Sequence, residues 1–410
     1  MAAASVGLSM ALISLAKLTL VLFGLFFLLR RKTDPNQSFL AGLWMPRGVL
    51  VAVFALALSL FWTAAPLGEA LGALAKYGKL LLIPLLIVLI QNQREASYAM
   101  SAFILAQLFL LASSYLLYLG FPVPWATSRM ALEEFAVFSS YLDQGIIFAI
   151  VAAICWHLRS WAPGRFGKYA AIAFALLALM NVFFVLSGRS GHVVAIMLLS
   201  LAIMWELPRR YRVAVVLLPF VLLAGLYLSS DKVQEKLDAA KNEIQSFSFS
   251  ESSNTPANAV LSSSSLRLHF WHRAIQSIRD NPALGSGVGS WGSEYDRLEQ
   301  KQSLRPRVLL GGNPHQEYLL WGVHLGVFGL LVFFSFLIAT ARDARTMNVH
   351  HRRAVLSVVA GLATASLFNS VVYDALIGDF FSVALGLLLA LGLRHQNADP
   401  RGLTPPRAAV

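Results

Sequence analysis

Apolar runs of roughly 17 to 23 residues recur along nearly the whole chain, parted by short basic or glycine- and serine-bearing connections. A helix needs about 20 predominantly apolar residues to cross the hydrocarbon core. Windows of that kind fall near residues 9–29, 48–66, 70–90, 97–119, 142–158, 169–186, 191–206, 213–229, 318–340, 354–373 and 378–393. The pattern predicts an all-α integral membrane protein with eleven transmembrane helices. A helical hairpin within Met1 to Leu29, whose one charge is Lys17, raises the count to twelve.

The periodicity changes between residues 230 and 317. Lys232 to Gln245 reads as a charged amphipathic helix, and Ser246 to Ser265 as a Ser- and Asn-rich linker without apolar period. Leu266, Phe270, Ala274 and Ile278 then recur every four residues, which predicts a helix with Ser264 as N-cap and Asn281-Pro282 as its stop. Gly285-Ser286-Gly287-Val288-Gly289 reads as a flexible turn. Asn313-Pro314-His315-Gln316 reads as a helix start, with Asn313 as cap and Pro314 at the first helical position. Four regions follow: amino-terminal spans over 1–229, a helical loop domain over 230–317, carboxy-terminal spans over 318–394 and a tail over 395–410.

Composition agrees with this pattern: 57% of residues are hydrophobic and 13% charged, where a soluble domain carries about 25% charged residues. A net charge of +12 raises nucleic acid as a partner, but the placement of the charges argues against it. Arg30, Arg31, Lys32 and Arg47; Arg94; Arg159, Arg165 and Lys168; Arg209, Arg210 and Arg212; Arg342, Arg345, Arg352 and Arg353; and Arg394 onward all fall on alternate connections. By the positive-inside rule those connections are cytoplasmic, the loop over 230–317 is extracytoplasmic, and no nucleic-acid partner is expected. The single cysteine, Cys155, excludes an intrachain disulfide. The basic cluster follows the first apolar run instead of preceding it, so a cleavable signal peptide is not expected.

Three residues stand where charge is disfavoured. Arg189, in Ser187-Gly188-Arg189-Ser190-Gly191, is retained on the translocated side at a helix N-terminus, against the macrodipole. Arg267 repeats that conflict in the first turn of its helix. An anionic ligand resolves both, while a snorkelling arginine at lipid headgroups and a solvated surface arginine are the bland alternatives. His315 is a side chain able to take and return protons near neutral pH, beside the membrane, with Gln316, Glu317 and Tyr318 as neighbours; a structural histidine is its alternative.

Other motifs fail on context. Gly285-x-Gly-x-Gly follows no strand, so it is no dinucleotide fingerprint, and Gly188 to Gly191 lacks the spacing of a nucleophile elbow. His269 and His272 lie three apart, but no HExxH or paired-cysteine signature accompanies them, and no metal is expected. Lys76 and Lys79 interrupt the third span, and Asp374 and Asp379 flank the last outer turn; in a membrane such groups are functional by default or interfacial.

Ser265-Leu266-Arg267 with Trp271, Ala274, Asn281-Pro282, Gly285-x-Gly-x-Gly, Asn313-Pro314-His315 and the glycine-bearing span Trp321 to Phe334 resembles the O-antigen ligase and polymerase superfamily, and within it the lipopolysaccharide O-antigen ligases. The resemblance runs from about Asn181 to Phe334. It implies a bacterial inner-membrane glycosyltransferase with the GT-C-like architecture, twelve spans and an active site facing the periplasm. Such an enzyme transfers polysaccharide from undecaprenyl diphosphate to a sugar hydroxyl of lipid A-core, with inversion and without metal or other cofactor. It maps the family's essential arginines onto Arg189 and Arg267 and its essential histidine onto His315.

In chemical terms, Arg189 and Arg267 would bind the diphosphate as charge develops on it, and His315 would take the acceptor proton. Ser190, Gln316 and Tyr318 are further candidate substrate contacts, and membrane lipids surround the spans. An O-antigen polymerase and a protein O-oligosaccharyltransferase are the competitors within the chemistry. A secondary transporter is the competitor outside it, disfavoured by polar residues gathered at one surface.

Overall fold

A computed structural model describes residues 2–6, 10–30, 40, 42–212, 214–229, 234–235, 238, 241–242, 263–301 and 312–398. All regular structure among them is helical: α1 (Ala2–Ser5), α2 (Met10–Arg30), α3 (Met45–Leu58), α4 (Leu67–Tyr77), α5 (Leu82–Leu89), α6 (Gln93–Tyr118), α7 (Ala131–Glu134), α8 (Tyr141–Leu158), α9 (Gly164–Met180), α10 (Arg189–Glu206), α11 (Leu218–Ser229), α12 (Ser263–Asp280), α13 (Trp291–Lys301), α14 (Glu317–Ala344), α15 (Val349–Ala365) and α16 (Ala375–Ala398). The protein is an all-α membrane protein.

Each of the eleven expected spans overlaps a helix, although the one expected over 354–373 ends with α15 at Ala365. Among the described residues, seven segments are long and apolar enough to cross a membrane: Leu67–Leu89, Gln93–Tyr118, Tyr141–Leu158, Gly164–Val185, Arg189–Glu206, Glu317–Ala344 and Ala375–Arg394. The others are shorter helices, α2 with its apolar stretch Leu12–Gly24, Met45–Phe61, α11 and α15. No twelfth span occurs among the described residues. The four residues of α1 rise only about 6 Å, and this turn packs on α6, where Gln107 Nε2 donates to the Val6 carbonyl at 2.9 Å. The expected amphipathic helix 232–245 lies mostly outside the described residues, and the linker almost wholly so.

Two helices apolar on all sides form the centre, as burial of every face requires. Ile146 to Ile154 of α8 are buried without interruption, and α8 packs against α9, α10 and α15. α16 is buried along its span and packs against α5, α6 and α15. Charges inside the spans are partnered, as a medium without water demands. Lys17 of α2 pairs with Asp379 of α16 at 2.7 Å, and Lys79, in the 3₁₀ break Gly78–Leu81, donates to the carbonyls of Asp374 (2.6 Å) and Tyr373 (3.3 Å).

Several spans are broken where hydropathy reads them as continuous. A π-turn at Asn181–Val185 ends the sixth span, after which the chain extends into α10. α14 kinks at Gly326, with φ 62° and ψ −150°. The kink frees backbone groups, and the segment Pro282 to Gly287 takes them up: Val327 N donates to Pro282 O (2.8 Å), Ser286 N to Val323 O (2.8 Å) and Gly287 N to His324 O (2.9 Å). Gly285-Ser286-Gly287-Val288-Gly289 is therefore a fixed strap and not the flexible turn expected from its glycines, and Ser286, Gly287 and Val288 are buried.

Candidate active site

Arg189 is the first residue of α10, behind an extended cap at Gly188. α10 sits tightly on α8, because a side chain at Gly191 would meet the backbone of Gly145 at 3.0 Å. That approach carries Arg189 to the N-terminal end of α8, where Ser140 caps the helix by accepting from Asp143 N. Ser190, beside Arg189, is 5% exposed, and its hydroxyl has no hydrogen-bond partner.

Arg267 lies near the start of α12. The helix already contains Ser264, which is therefore not its N-cap, and it ends at Asp280 as the Asn-Pro stop predicts. Phe270 and Ala274 are buried, and α12 packs against α14. The Phe270 ring makes edge contacts with Trp291 and Tyr295 of α13 and stacks on the His315 imidazole, with centroids 6.2 Å apart and planes at 29°.

His315 precedes α14 and is not in its first turn. Gln316 is the N-cap, its side chain accepting from Leu319 N at 2.8 Å. His315 takes the left-handed conformation, φ 52°, which a non-glycine residue adopts at a cost of order 1–3 kcal/mol. Asn313 Oδ1 holds it there by accepting from His315 N at 2.8 Å, so the Asn-Pro-His turn uses the asparagine as an Asx-turn acceptor two residues before the true cap. Asn313 Nδ2 donates to Asp374 Oδ1 at 3.0 Å, and burial raises that carboxyl to about 6, with Lys79, Lys76 and Asn313 opposing the rise.

Arg189 lies near enough to Arg267, and Arg267 to His315, for each charge to act on its neighbour. Burial lowers the Arg267 pKa, and the charge of Arg189 lowers it further against the influence of Tyr141. Burial likewise lowers His315, and the charge of Arg267 adds to the effect. Among the described residues no carboxylate bonds to Arg267. Arg267 and His315 are partly desolvated, and each also feels the positive charge of a neighbouring arginine, a setting in which an anionic ligand would be stabilising.

The other sequence candidates belong to the frame. Tyr318, expected as a substrate contact, turns its hydroxyl to the Ala363 carbonyl at 2.9 Å and stacks on Phe334. Gln316 spends its side-chain oxygen on the cap. Buried Glu317 accepts from Val372 N, Tyr373 N and Trp321 Nε1, tying the start of α14 to the turn before α16. His269 shares Glu299 with Arg273, and His272 faces Gln276. Sequence reasoning did not find Asp143, whose Oδ1 accepts from Asn369 Nδ2 at 3.1 Å, nor the Asn313–Asp374 bond. No linear spacing links residues so far apart.

Residues 174–334 match the O-antigen ligase family model. The matched stretch holds Arg189, Arg267, the strap Gly285 to Gly289 and His315, and it supports the O-antigen ligase/polymerase superfamily suggested by the sequence motifs. The comparison with curated proteins gave no match. Within the matched segment, the influence of Arg189 on Arg267 and of Arg267 on His315 links the start of α10, the start of α12 and the His315 turn.

Proposed function

We propose that the protein is an O-antigen ligase, transferring a polysaccharide from undecaprenyl diphosphate to a sugar hydroxyl of lipid A-core on the periplasmic side of the bacterial inner membrane. What supports this reading is that Arg189 acts electrostatically on Arg267 and Arg267 on His315, all three in the segment that matches the O-antigen ligase family model. A diphosphate would offset the repulsion that the charge of Arg189 exerts on Arg267 and favour both guanidinium groups. The planar forks of both arginines pair with phosphate oxygens and stay charged at any working pH.

The acceptor oxygen forms its bond to the anomeric carbon on the face opposite the leaving diphosphate, giving inversion. The bond from that carbon to the diphosphate oxygen breaks, undecaprenyl diphosphate departs with the electron pair, and its charge is met by Arg189 and Arg267. His315 takes the acceptor proton. Its lowered pKa keeps the imidazole neutral, hence able to accept, at neutral pH. In this reading Ser190 is a further contact for the donor phosphate, supported by a hydroxyl without a hydrogen-bond partner among the described residues.

The test uses the full chain in proteoliposomes with lipid-linked polysaccharide and either lipid A-core or a second lipid-linked repeat as acceptor. A ligase lengthens lipid A-core, and correctly inserted Arg189→Ala, Arg267→Ala and His315→Ala variants lose at least about a hundredfold in rate. Elongation of the lipid-linked repeat alone makes the protein a polymerase. Wild-type turnover by His315→Ala ends its assignment as base.

A further inference from the structure

At the end of α8 and α10 remote from Arg189, these two helices and α9 enclose a cavity of about 370 Å³. Its walls are almost wholly hydrocarbon: Ala152 and Ala153 from α8, Ala175 and Leu179 from α9, Ala195 and Ala202 from α10. Small side chains leave the volume, and α9 closes only one end of it. From α9 only Ala175, Leu176 and Leu179, in its later half, line the space, while Phe166 (88%) and Tyr169 (65%) in its earlier half are exposed. Arg189 and Glu206 bound α10 and lie roughly 26 Å apart along its axis, which separates this groove from the catalytic cluster.

The mouth is polar and positive. Trp156 and Glu206 line it. Glu206 accepts from both Arg159 Nη2 and Arg353 Nη1, each at 3.3 Å, so one carboxylate faces two guanidinium groups. Arg159 also donates to the Trp156 carbonyl at 2.6 Å and lies 4.2 Å over the Trp156 ring, and Arg353 donates to the Trp205 carbonyl at 2.8 Å. Arg209 and Arg210 follow directly, both exposed.

We infer that this groove binds an anionic phospholipid of the leaflet on the arginine-rich side, one acyl chain in the alanine-lined space and the phosphate at Arg159 and Arg353. An all-hydrocarbon wall offers nothing to water or a polar ligand and suits a lipid chain. The charge excess at the mouth selects the headgroup, since basic pockets between membrane helices attract anionic lipids. Trp156 and Trp205 lie beside these arginines, and indoles favour the membrane interface.

The experiment is native mass spectrometry of the full-length protein in detergent, titrated with phosphatidylglycerol or phosphatidylcholine. Wild type retains phosphatidylglycerol in preference to phosphatidylcholine. Arg353→Gln and Arg159→Gln each reduce that preference about fivefold, the equivalent of ~1 kcal/mol for one basic residue near anionic lipid. Ala202→Phe fills the groove and abolishes retention of both lipids, its thermal midpoint in detergent confirming the fold; the surface arginine variants test the headgroup independently of it. Equal retention of the two lipids by wild type, or undiminished retention by a folded Ala202→Phe, overturns the inference.

Discussion

Burial and a neighbouring guanidinium give His315 a depressed pKa, and that has a direct kinetic consequence. In the reading as general base the neutral imidazole is the active form, so kcat/KM rises with pH through the free-enzyme pKa and levels off above it. The midpoint is expected below the ordinary value of 6.5, and Arg267→Gln moves it upward by removing the adjacent positive charge while lowering the plateau; an unmoved midpoint refutes the coupling. Asn313 is a positioning residue, since its oxygen fixes the left-handed turn and its amide reaches Asp374. Asn313→Ala is expected to lower kcat by about ten- to a hundredfold with KM little changed, measured with saturating lipid-linked donor; a loss confined to KM argues against positioning. The sequence singled out Arg189 and Arg267 because a cation at a helix start opposes the macrodipole, and His315 because an imidazole exchanges protons near neutral pH. The exact start of α14 was not, because Asn-Pro-x-Gln is compatible with both a cap and an Asx turn. Only tertiary bonding to Asp374 and Ser366 selects between them.

Elements were read well by hydropathy, and their breaks poorly. Gly326 lies in an uninterrupted apolar run, and transfer free energy carries no information about φ. The kink becomes intelligible only with the strap beside it, because the backbone groups it releases are bonded by residues some 40 positions earlier. A methyl group on Gly326 would stand 2.5 Å from Pro282 O, and one on Gly285 would stand 2.5 Å from Val323 O, both at positive φ. Gly326→Ala and Gly285→Ala are each expected to destabilise by about 2 kcal/mol or more, from backbone strain together with the clash. Gly292→Ala in α13, with nothing within 4 Å, should change stability by no more than about 1 kcal/mol and toward stabilisation. Thermal unfolding in detergent ranks the three, and equal midpoints would show that the strap does not brace the kink.

At the scale of the molecule, charge placement assigns the two faces. In the proposed orientation, basic connections collect on the side of Arg159, Arg353 and Arg345 and α12, α13 and the His315 turn on the other, so the long central helices α8 and α10 run from the proposed site to the alanine-lined cavity. The ion pair of Lys17 with Asp379 joins the first long helix to the last and removes the one charge that made the amino-terminal span ambiguous in the sequence. The native Cys155 is buried and leaves the chain open to single-cysteine mapping of this orientation. Gly292→Cys and Arg345→Cys place exposed thiols on opposite faces. In intact cells whose outer membrane has been permeabilised, a charged maleimide is expected to label Gly292→Cys at once and Arg345→Cys only after the inner membrane is opened. The reverse order would turn the arginine cluster and His315 toward the cytoplasm. A periplasmic transferase would then be untenable even if all three residues proved essential.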